Sequence, residues 1–424
     1  MKIGIDIAEV SRIRRAIEEK PGFVKRIYTE SEQKYIFGKN IKWESAAGFF
    51  AVKEAYSKFM GTGIGEISFK DIEVSHNEMG APYLLIKGEK SDAEVSISHS
   101  GDMAVAVVCG KGKSALADNG EMKKLLPRRK SDAHKGQCGR VFILGGSEGM
   151  TGAVCLSAMG ALRSGAGLVT VGTADCERGI VACKLTEAMT VGFASKSGFL
   201  GFDDREKIRE IAEKSDVFVL GPGIGRREET QKLILWLVQN VKTKIVSDAD
   251  GLNAISANID VLKGRKGEIV LTPHEGEMSL LCGKSVDEIK ADRENTAIDF
   301  AKKYGVTLVL KGKNTIITDG DKIFVNPTGN AGMATGGSGD VLSGVIGSLI
   351  GQGLSMLDGA VLGAYIHGRA GDLAKKDKGE MGLIASDVAE NLPYAIKELS
   401  GEWNFEKKYS CFDNCTDDDD VVLR

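Results

Sequence analysis

With 424 residues the chain is too long for one hydrophobic core, and domain sizes of about 100–200 residues divide it into two units. A hydrophobic fraction of 42%, a charged fraction of 27% and a net charge of -3 are those of an ordinary globular protein and argue against nucleic acid or a membrane as the main partner. The 8 cysteines are scattered, with Cys109, Cys155 and Cys282 inside apolar runs, which disfavours a disulfide framework and favours a reducing, cytoplasmic compartment.

The opening MKIGIDIAEVSRIRR meets the Asp6 carboxylate before any apolar run builds, so no export signal is expected. From residue 2 to about 109, the short alternating segments KIGIDI, ISFKDIEVS, AEVSISHS and MAVAVVC predict strands around one or two amphipathic helices, a small α+β domain. GIDIAEVSRIRR puts Asp6 at the end of a short strand and opens a helix carrying Arg12, Arg14 and Arg15. ESAAGFFAVKEAYSKFMGTG predicts a second helix, with Phe49, Val52, Tyr56 and Phe59 on one face and Glu54 and Lys58 opposite. Taken alone, that Glu-Lys spacing is an ordinary surface pair. His99 falls in the strand-like SISHS, whereas His76 has no motif around it and is expected at the surface. Residues 110–132 are polar, basic and without periodicity, a linker that sets domains of 1–114 and 115–400. Residues 401–424 carry an acidic run and read as a solvated, disordered tail, in which Cys411 and Cys415 could supply at most half of a metal site.

After the linker the rhythm changes. RVFILGG, GLVTVGT, DVFVLGPG, KIVSDADG, EIVLTPHEGE and TLVLKGKN are buried-strand patterns separated by helix-length segments, which predicts an α/β domain with a mostly parallel sheet. Ligands of such sheets gather at the carboxyl ends of the strands. Residues 342–366, apolar but interrupted by glycines and Asp358, read as buried helices rather than a membrane span. The densest signal is NPTGNAGMATGGSGDVLSGVIGSL, a glycine-rich loop running into a helix with Asp340 at its start. Unpaired amides and the helix dipole make this an anion site, and no Lys-Ser or Lys-Thr follows as a Walker A loop requires. Neither GPGIG nor LGGSEG is a dinucleotide fingerprint, so redox use of NAD is not indicated. His134 and Lys135 either reach a phosphate or cap the domain, and His367, on a helix, is expected to be structural.

GIDIAEVSRI, FAVKEAYSKFMGTG and SISHSGDMAVAVV, in that order over residues 1–110, resemble the holo-acyl-carrier-protein synthases. The resemblance implies a phosphopantetheinyl-transferase domain in which Asp6 and Glu54 hold a Mg²⁺ that also binds the pyrophosphate of coenzyme A. It further implies Lys58 as a catalytic group beside the phosphate and His99 as a coenzyme A contact. Arg12, Arg14 and Arg15, followed by Lys25 and Arg26, would face an acidic acyl carrier protein. The attacking hydroxyl is then a serine of the carrier, and the assembly a homo-oligomer.

SDAHKGQCGRVFILGGSEGMTGA, ALRSGAGLVTVGT, VLGPGIG, SDADGLNAI, LTPHEGE and LKGKNTII, preceding the glycine loop, resemble the ribokinase-like NAD(P)H-hydrate dehydratases over residues 120–395. That resemblance implies contacts to hydrated NADH or NADPH (S epimer) from Ala153, Gly223, His274 and Asp340. ADP or ATP would be met by Lys311, Gly312, Lys313, Asn314, Thr315 and Gly339. Asp340 would activate the ring hydroxyl for phosphorylation, after which phosphate leaves. Two alternatives stand beside this reading. The rear domain could be a ribokinase-like kinase of a small molecule, and the front domain a non-catalytic module for oligomerisation or carrier binding.

Overall fold

The computed structural model describes residues 2–60, 68–77, 79–91, 93–110, 115–116, 119–129, 131–194 and 198–401. The expected tail beyond Gly401, with Cys411 and Cys415, lies outside the described residues. The chain divides into two compact units, Met1–Ala115 and Leu116–Arg424.

In the front unit the strands Lys2–Glu9, Met103–Gly110 and Glu94–Ser100 form an antiparallel sheet with Met103–Gly110 in the middle. A second sheet joins Ile72–His76, Pro82–Ile86 and Glu89–Lys90. The helix Trp43–Met60 lies on the first sheet. Small side chains permit a close approach: Ala8, Ala104 and Ala106 of the sheet and Ala47, Ala51 and Ala55 of the helix are all buried, and a Cβ on Gly4 would fall 1.9 Å from the Ala55 carbonyl oxygen. The opposite sheet face leaves Ile3, Ile5 and Ile7 more than half exposed.

Two expectations need correction here. The helix is not apolar on one face only, because it is enclosed nearly all round and Lys53 is fully buried with Glu32. Lys53 Nζ lies 2.8 Å from Glu32 Oε2 and donates to the Phe69 carbonyl at 2.7 Å and to the Ile72 carbonyl. Glu32 in turn accepts from the backbone N–H groups of Val74 and Thr29, each at 2.8 Å. Burial pushes the Glu32 carboxyl up and the Lys53 ammonium down, against their mutual attraction. His76 is half-buried rather than free at the surface, stacked 4.9 Å from the Tyr35 ring and 5.8 Å from Phe49.

The rear unit is built on one large sheet. Its order is Met189–Phe193, Leu168–Ala174, Arg140–Leu144, Val217–Leu220, Lys244–Ser247, Ile269–Leu271, Thr307–Leu310, Thr315–Thr318 and Ile323–Asn326, ending on the two-residue Ala115–Leu116. The first seven of these pair in parallel, and Thr315–Thr318 and Ile323–Asn326 are antiparallel. Alternate residues feed two cores: Val141 and Ile143 join Val341, Val345 and Leu362 on one face, while Phe142 and Leu144 join Leu233, Leu237 and Ile255 on the other. This double burial is why the strands read as continuous apolar runs. Residues 342–366 fall in the buried helices Ser338–Gly351 and Met356–Lys378. Among the described residues no helix is long and apolar enough to cross a membrane.

Strand order reverses between Arg140–Leu144 and Val217–Leu220, and the loops after these two strands lock together. Gly146 N–H donates to the Pro222 carbonyl at 3.0 Å and Ser147 N–H to the Gly223 carbonyl at 2.8 Å. A Cβ on Gly145 would lie 2.0 Å from the Pro222 carbonyl oxygen. Gly145→Ala is therefore expected to cost about 1–3 kcal/mol through backbone displacement, read as a lower urea midpoint at unchanged m-value.

Candidate active sites

In the front unit Asp6 sits within its strand and not at the end, opposite Ala106, because pairing to Met103–Gly110 continues through Glu9. Glu54 and Lys58 project from the Trp43–Met60 helix one turn apart. Lys58 Nζ lies 2.7 Å from Asp6 Oδ1 and donates to the Ile5 carbonyl at 3.1 Å. Burial raises the Glu54 carboxyl, the Asp6 charge raises it further, and Lys58 lowers it. The three expected residues thus converge, with two carboxylates close enough to repel one another. That is a donor pair suited to a hard divalent cation, which would relieve the repulsion.

His99 is exposed on its strand, its imidazole against the helix backbone, where a Cβ on Gly48 would come within 3.1 Å of Cε1. Arg12, Arg14 and Arg15 are exposed on the helix Val10–Glu19, with Ile13 as the buried anchor between them. Arg14 pairs with Glu18 at 2.9 Å and lies 5.1 Å from the Trp43 ring centroid. Asp102 is a contributor not expected from the sequence. It accepts from Ser11 N–H at 2.9 Å, and its own carbonyl accepts from Val10 N–H at 2.8 Å, tying the Gly-Asp turn to the start of the arginine helix.

In the rear unit the expected residues gather at the carboxyl ends of the central strands. Ala153 lies in the first turn of the helix Thr151–Arg163, and Gly223 has φ 58. A Cβ on Gly223 would fall 2.7 Å from the Met150 carbonyl oxygen and 3.0 Å from Ala153 Cβ, so these two residues meet at the strand reversal. Gly337 caps the helix Ser338–Gly351 at φ 90, a conformation that favours glycine, and no side chain caps the first turn. Its leading N–H groups, including those of Gly339 and Asp340, have no intrahelical partner. Asp340 is thus in the first turn and is not the cap.

Lys311 follows the strand Thr307–Leu310 and points back toward this turn: a Cβ on Gly339 would be 3.3 Å from Lys311 Nζ and 3.4 Å from Asp248 Oδ2. The ammonium lies 2.7 Å from Asp248 Oδ1 and 3.6 Å from Glu277 Oε2. Burial opposes its charge, yet Asp248, Glu277 and Asp340 together hold it above the usual lysine value. Burial and then the Asp248 charge push Asp340 up to about 7, against Lys311, with Asp250 and Glu277 adding to the rise. A carboxyl poised there can exchange a proton near neutral pH.

His274 is the N-cap of the helix Glu275–Cys282, its Nδ1 accepting from Gly276 N–H at 3.0 Å and Glu277 N–H at 3.2 Å. Glu277 closes the capping box by accepting from His274 N–H at 2.8 Å. Gly312, Lys313 and Asn314 form an exposed turn between Lys311 and Thr315, and Thr315 Oγ1 donates to the Gly312 carbonyl at 3.0 Å. The Arg293 guanidinium holds this turn by the carbonyls of Leu310 at 3.1 Å, Lys311 at 3.2 Å and Lys313. His367 is buried beside the glycine turn, with Nε2 3.5 Å from Ser338 Oγ, and burial lowers it to about 4, so it is neutral. Lys135 opens a short 3-10 turn that His134 caps, away from the residues gathered here. Asp248, Asp250 and Glu277 lie inside strings already singled out, SDADG and TPHEGE, but Arg293 carries no motif.

The rear unit has the ribokinase-like fold and the front unit is of the phosphopantetheinyl-transferase type. The family model described as NAD(P)H-hydrate dehydratase matches residues 141–394, and that of the 4'-phosphopantetheinyl transferase superfamily matches residues 2–109. The chain belongs to the NAD(P)H-hydrate dehydratase family and carries in addition a front unit matching the transferase superfamily. A bifunctional NAD(P)H-hydrate repair enzyme of Moorella thermoacetica is 44% identical over 279 residues, covering 65% of this chain and 53% of that protein. The chain thus spans about half the length of the bifunctional relatives it matches. An ADP-dependent (S)-NAD(P)H-hydrate dehydratase of Neisseria meningitidis is 36% identical over 270 residues, covering 62% of this chain and 86% of that protein. The structure of an ADP/ATP-dependent NAD(P)H-hydrate dehydratase of Bacillus subtilis, co-crystallised with ATP and Mg²⁺, aligns with a TM-score of 0.59 at 27% identity, covering 68% of this chain and 99% of that one.

Proposed function

We propose that the chain is a bifunctional cytoplasmic enzyme. Its rear unit dehydrates hydrated NADH or NADPH at the expense of ADP or ATP, and its front unit transfers 4'-phosphopantetheine from coenzyme A to a serine of apo acyl carrier protein. The observation that carries the rear assignment is Asp340, half-buried beside uncapped amides and the Lys311 ammonium, with a proton affinity near neutrality. Asp340 accepts the proton of the substrate's ring hydroxyl as that oxygen attacks the terminal phosphoryl group. The amides of Gly339 and its neighbours, with Lys311, gather the charge that forms on the phosphate. Phosphate, a far better leaving group than hydroxide, then departs with the C–O electron pair, and loss of a proton from the adjacent ring carbon forms the double bond that restores the dihydronicotinamide. In this reading Ala153, Gly223 and His274 contact the damaged cofactor, and the turn from Lys311 to Thr315, which Arg293 braces, meets the nucleotide.

In the front unit Asp6 and Glu54 would hold Mg²⁺, which neutralises pyrophosphate charge when bound. Lys58, now paired with Asp6, is within reach of a phosphate at the same place. The exposed arginines of the helix Val10–Glu19 complement an acidic carrier, and the bare Ile3, Ile5 and Ile7 suit a homo-oligomer.

Incubating the protein with hydrated NADH and either nucleotide tests the rear assignment: recovery of reduced-nicotinamide absorbance is expected. A stably phosphorylated product without recovery would identify a kinase instead. Apo carrier protein, coenzyme A and Mg²⁺ test the front one, with the carrier's mass expected to rise by one phosphopantetheine. Lys58→Ala is expected to slow that transfer roughly 10²-fold or more. A carrier bound without gain of mass would favour a non-catalytic module.

A further inference from the structure

Lys311 is the cation at the centre of the rear site, and several carboxylates compete for it. Among the described residues its ion-pair partners are Asp248 and Glu277, and Asp340 is not one of them. Asp248 is 2% exposed and follows directly on the strand Lys244–Ser247. The next residue, Ala249, is held at φ 49 and ψ -117, a backbone conformation strained for any residue but glycine. This kink sends the two flanking carboxylates to different tasks. Asp250 accepts from Gly225 N–H at 3.0 Å and pairs with Arg226 at 2.7 Å, whereas Asp248 takes Lys311 and lies against Gly339.

We propose that Asp248 is a positioning residue of the rear site: it anchors the Lys311 ammonium beside Gly339 and withholds that cation from Asp340, which leaves the carboxylate available to accept a proton. The groups facing Asp340 are Asp248 after its strand, Asp250 on the next helix, Glu277 on the helix Glu275–Cys282 and Lys311 after Thr307–Leu310. His367 on Met356–Lys378 faces the neighbouring Ser338 and is neutral. With Asp248 gone, one negative charge leaves this set and Lys311 is free to turn to Asp340. Both changes act in the same direction, making Asp340 harder to protonate. The nearby Glu277 is a poorer anchor, since its Oε2 is already engaged by the His274 N–H and stands 3.6 Å from the ammonium.

The decisive measurement is an NMR titration of ¹³C-labelled aspartate in the full chain, with Asp340→Asn identifying the signal. The parent midpoint is expected near 7, and Asp248→Asn is expected to move it down by about 1–3 pH units. An unchanged or raised midpoint in Asp248→Asn overturns the proposal. Should that variant fail to fold, Asp248→Ser takes its place: the same fall of the midpoint is expected, and one that stays put or rises overturns the proposal. The kinetic arm rests on the dehydratase reading. There the acid limb of hydrate repair moves down with the titration in Asp248→Asn and returns in Asp248→Glu, whereas loss of packing alone would lower the rate and leave the limb in place. If the parent repairs no hydrated NADH, the dehydratase reading falls, and the titration still decides the role of Asp248.

Discussion

Asp340→Asn is expected to reduce hydrate repair roughly 10²–10⁴-fold while making the protein more stable above pH 7. The loss follows from removing the proposed base while leaving the rest of the proposed phosphate cradle in place: the amides of the Ser338–Gly351 helix and the Lys311 ammonium are expected still to bind nucleotide. For the parent, the rate should climb as pH rises through about 7 and level off above it, since only the ionised Asp340 can accept a proton. The stability effect has the opposite slope. The folded protein holds this carboxyl at about 7, against 3.8 for an ordinary aspartate. Between those values the folded state binds more proton than the unfolded one, so stability falls as pH rises across the window, and the full penalty applies above 7. Asparagine removes a penalty of about 2–4 kcal/mol. The advantage should fade as pH falls toward 4, and thermal unfolding of both proteins across pH 4 to 8 would reveal it. A variant that repairs hydrated NADH as fast as the parent would remove Asp340 from the chemistry.

Lys53→Met is expected to cost about 3–5 kcal/mol, because it leaves the Glu32 carboxylate buried without its countercharge. It also strips the carbonyls of Phe69 and Ile72 of their shared donor. Such a loss is a large part of the 5–15 kcal/mol that holds a typical domain together. Glu32→Gln should be comparably damaging from the other end, since it leaves an ammonium in the interior. Replacing both partners by apolar residues of similar volume should cost far less than the two single changes summed. Hydrogen exchange on the full chain should localise the damage to the segments this pair joins: the Thr29 cap, the Trp43–Met60 helix and the Ile72–His76 strand. Uniform protection across these segments in Lys53→Met would mean that the pair carries no such weight.

Much of the architecture was legible in the chain. Six of the rear strands announce themselves because burial on both faces demands unbroken runs such as RVFIL, VFVL and TLVL, and a glycine or a polar residue follows each run at the carboxyl end of its strand. The glycine loop and Asp340 were equally plain, since a helix that must leave its leading amides open to a ligand needs residues without side chains. Asp6, Glu54 and Lys58 were named from motif alone, and the strand-on-helix packing brings them together.

What remained hidden depends on partners far apart in the chain. Lys53 sits in a helix whose spacing suggests one wet face, and only the arrival of Glu32 from another helix makes its burial tolerable. Arg293 has no motif because its partners are backbone carbonyls, which any residue supplies. Local order determined by residue type and spacing, the strands, helices and glycine turn, was written in the sequence. The charge balance at Asp340 was decided only by the fold, because the energy between Asp248, Glu277, Lys311 and Asp340 depends on distance and burial, and neither exists until four separate segments of the chain meet.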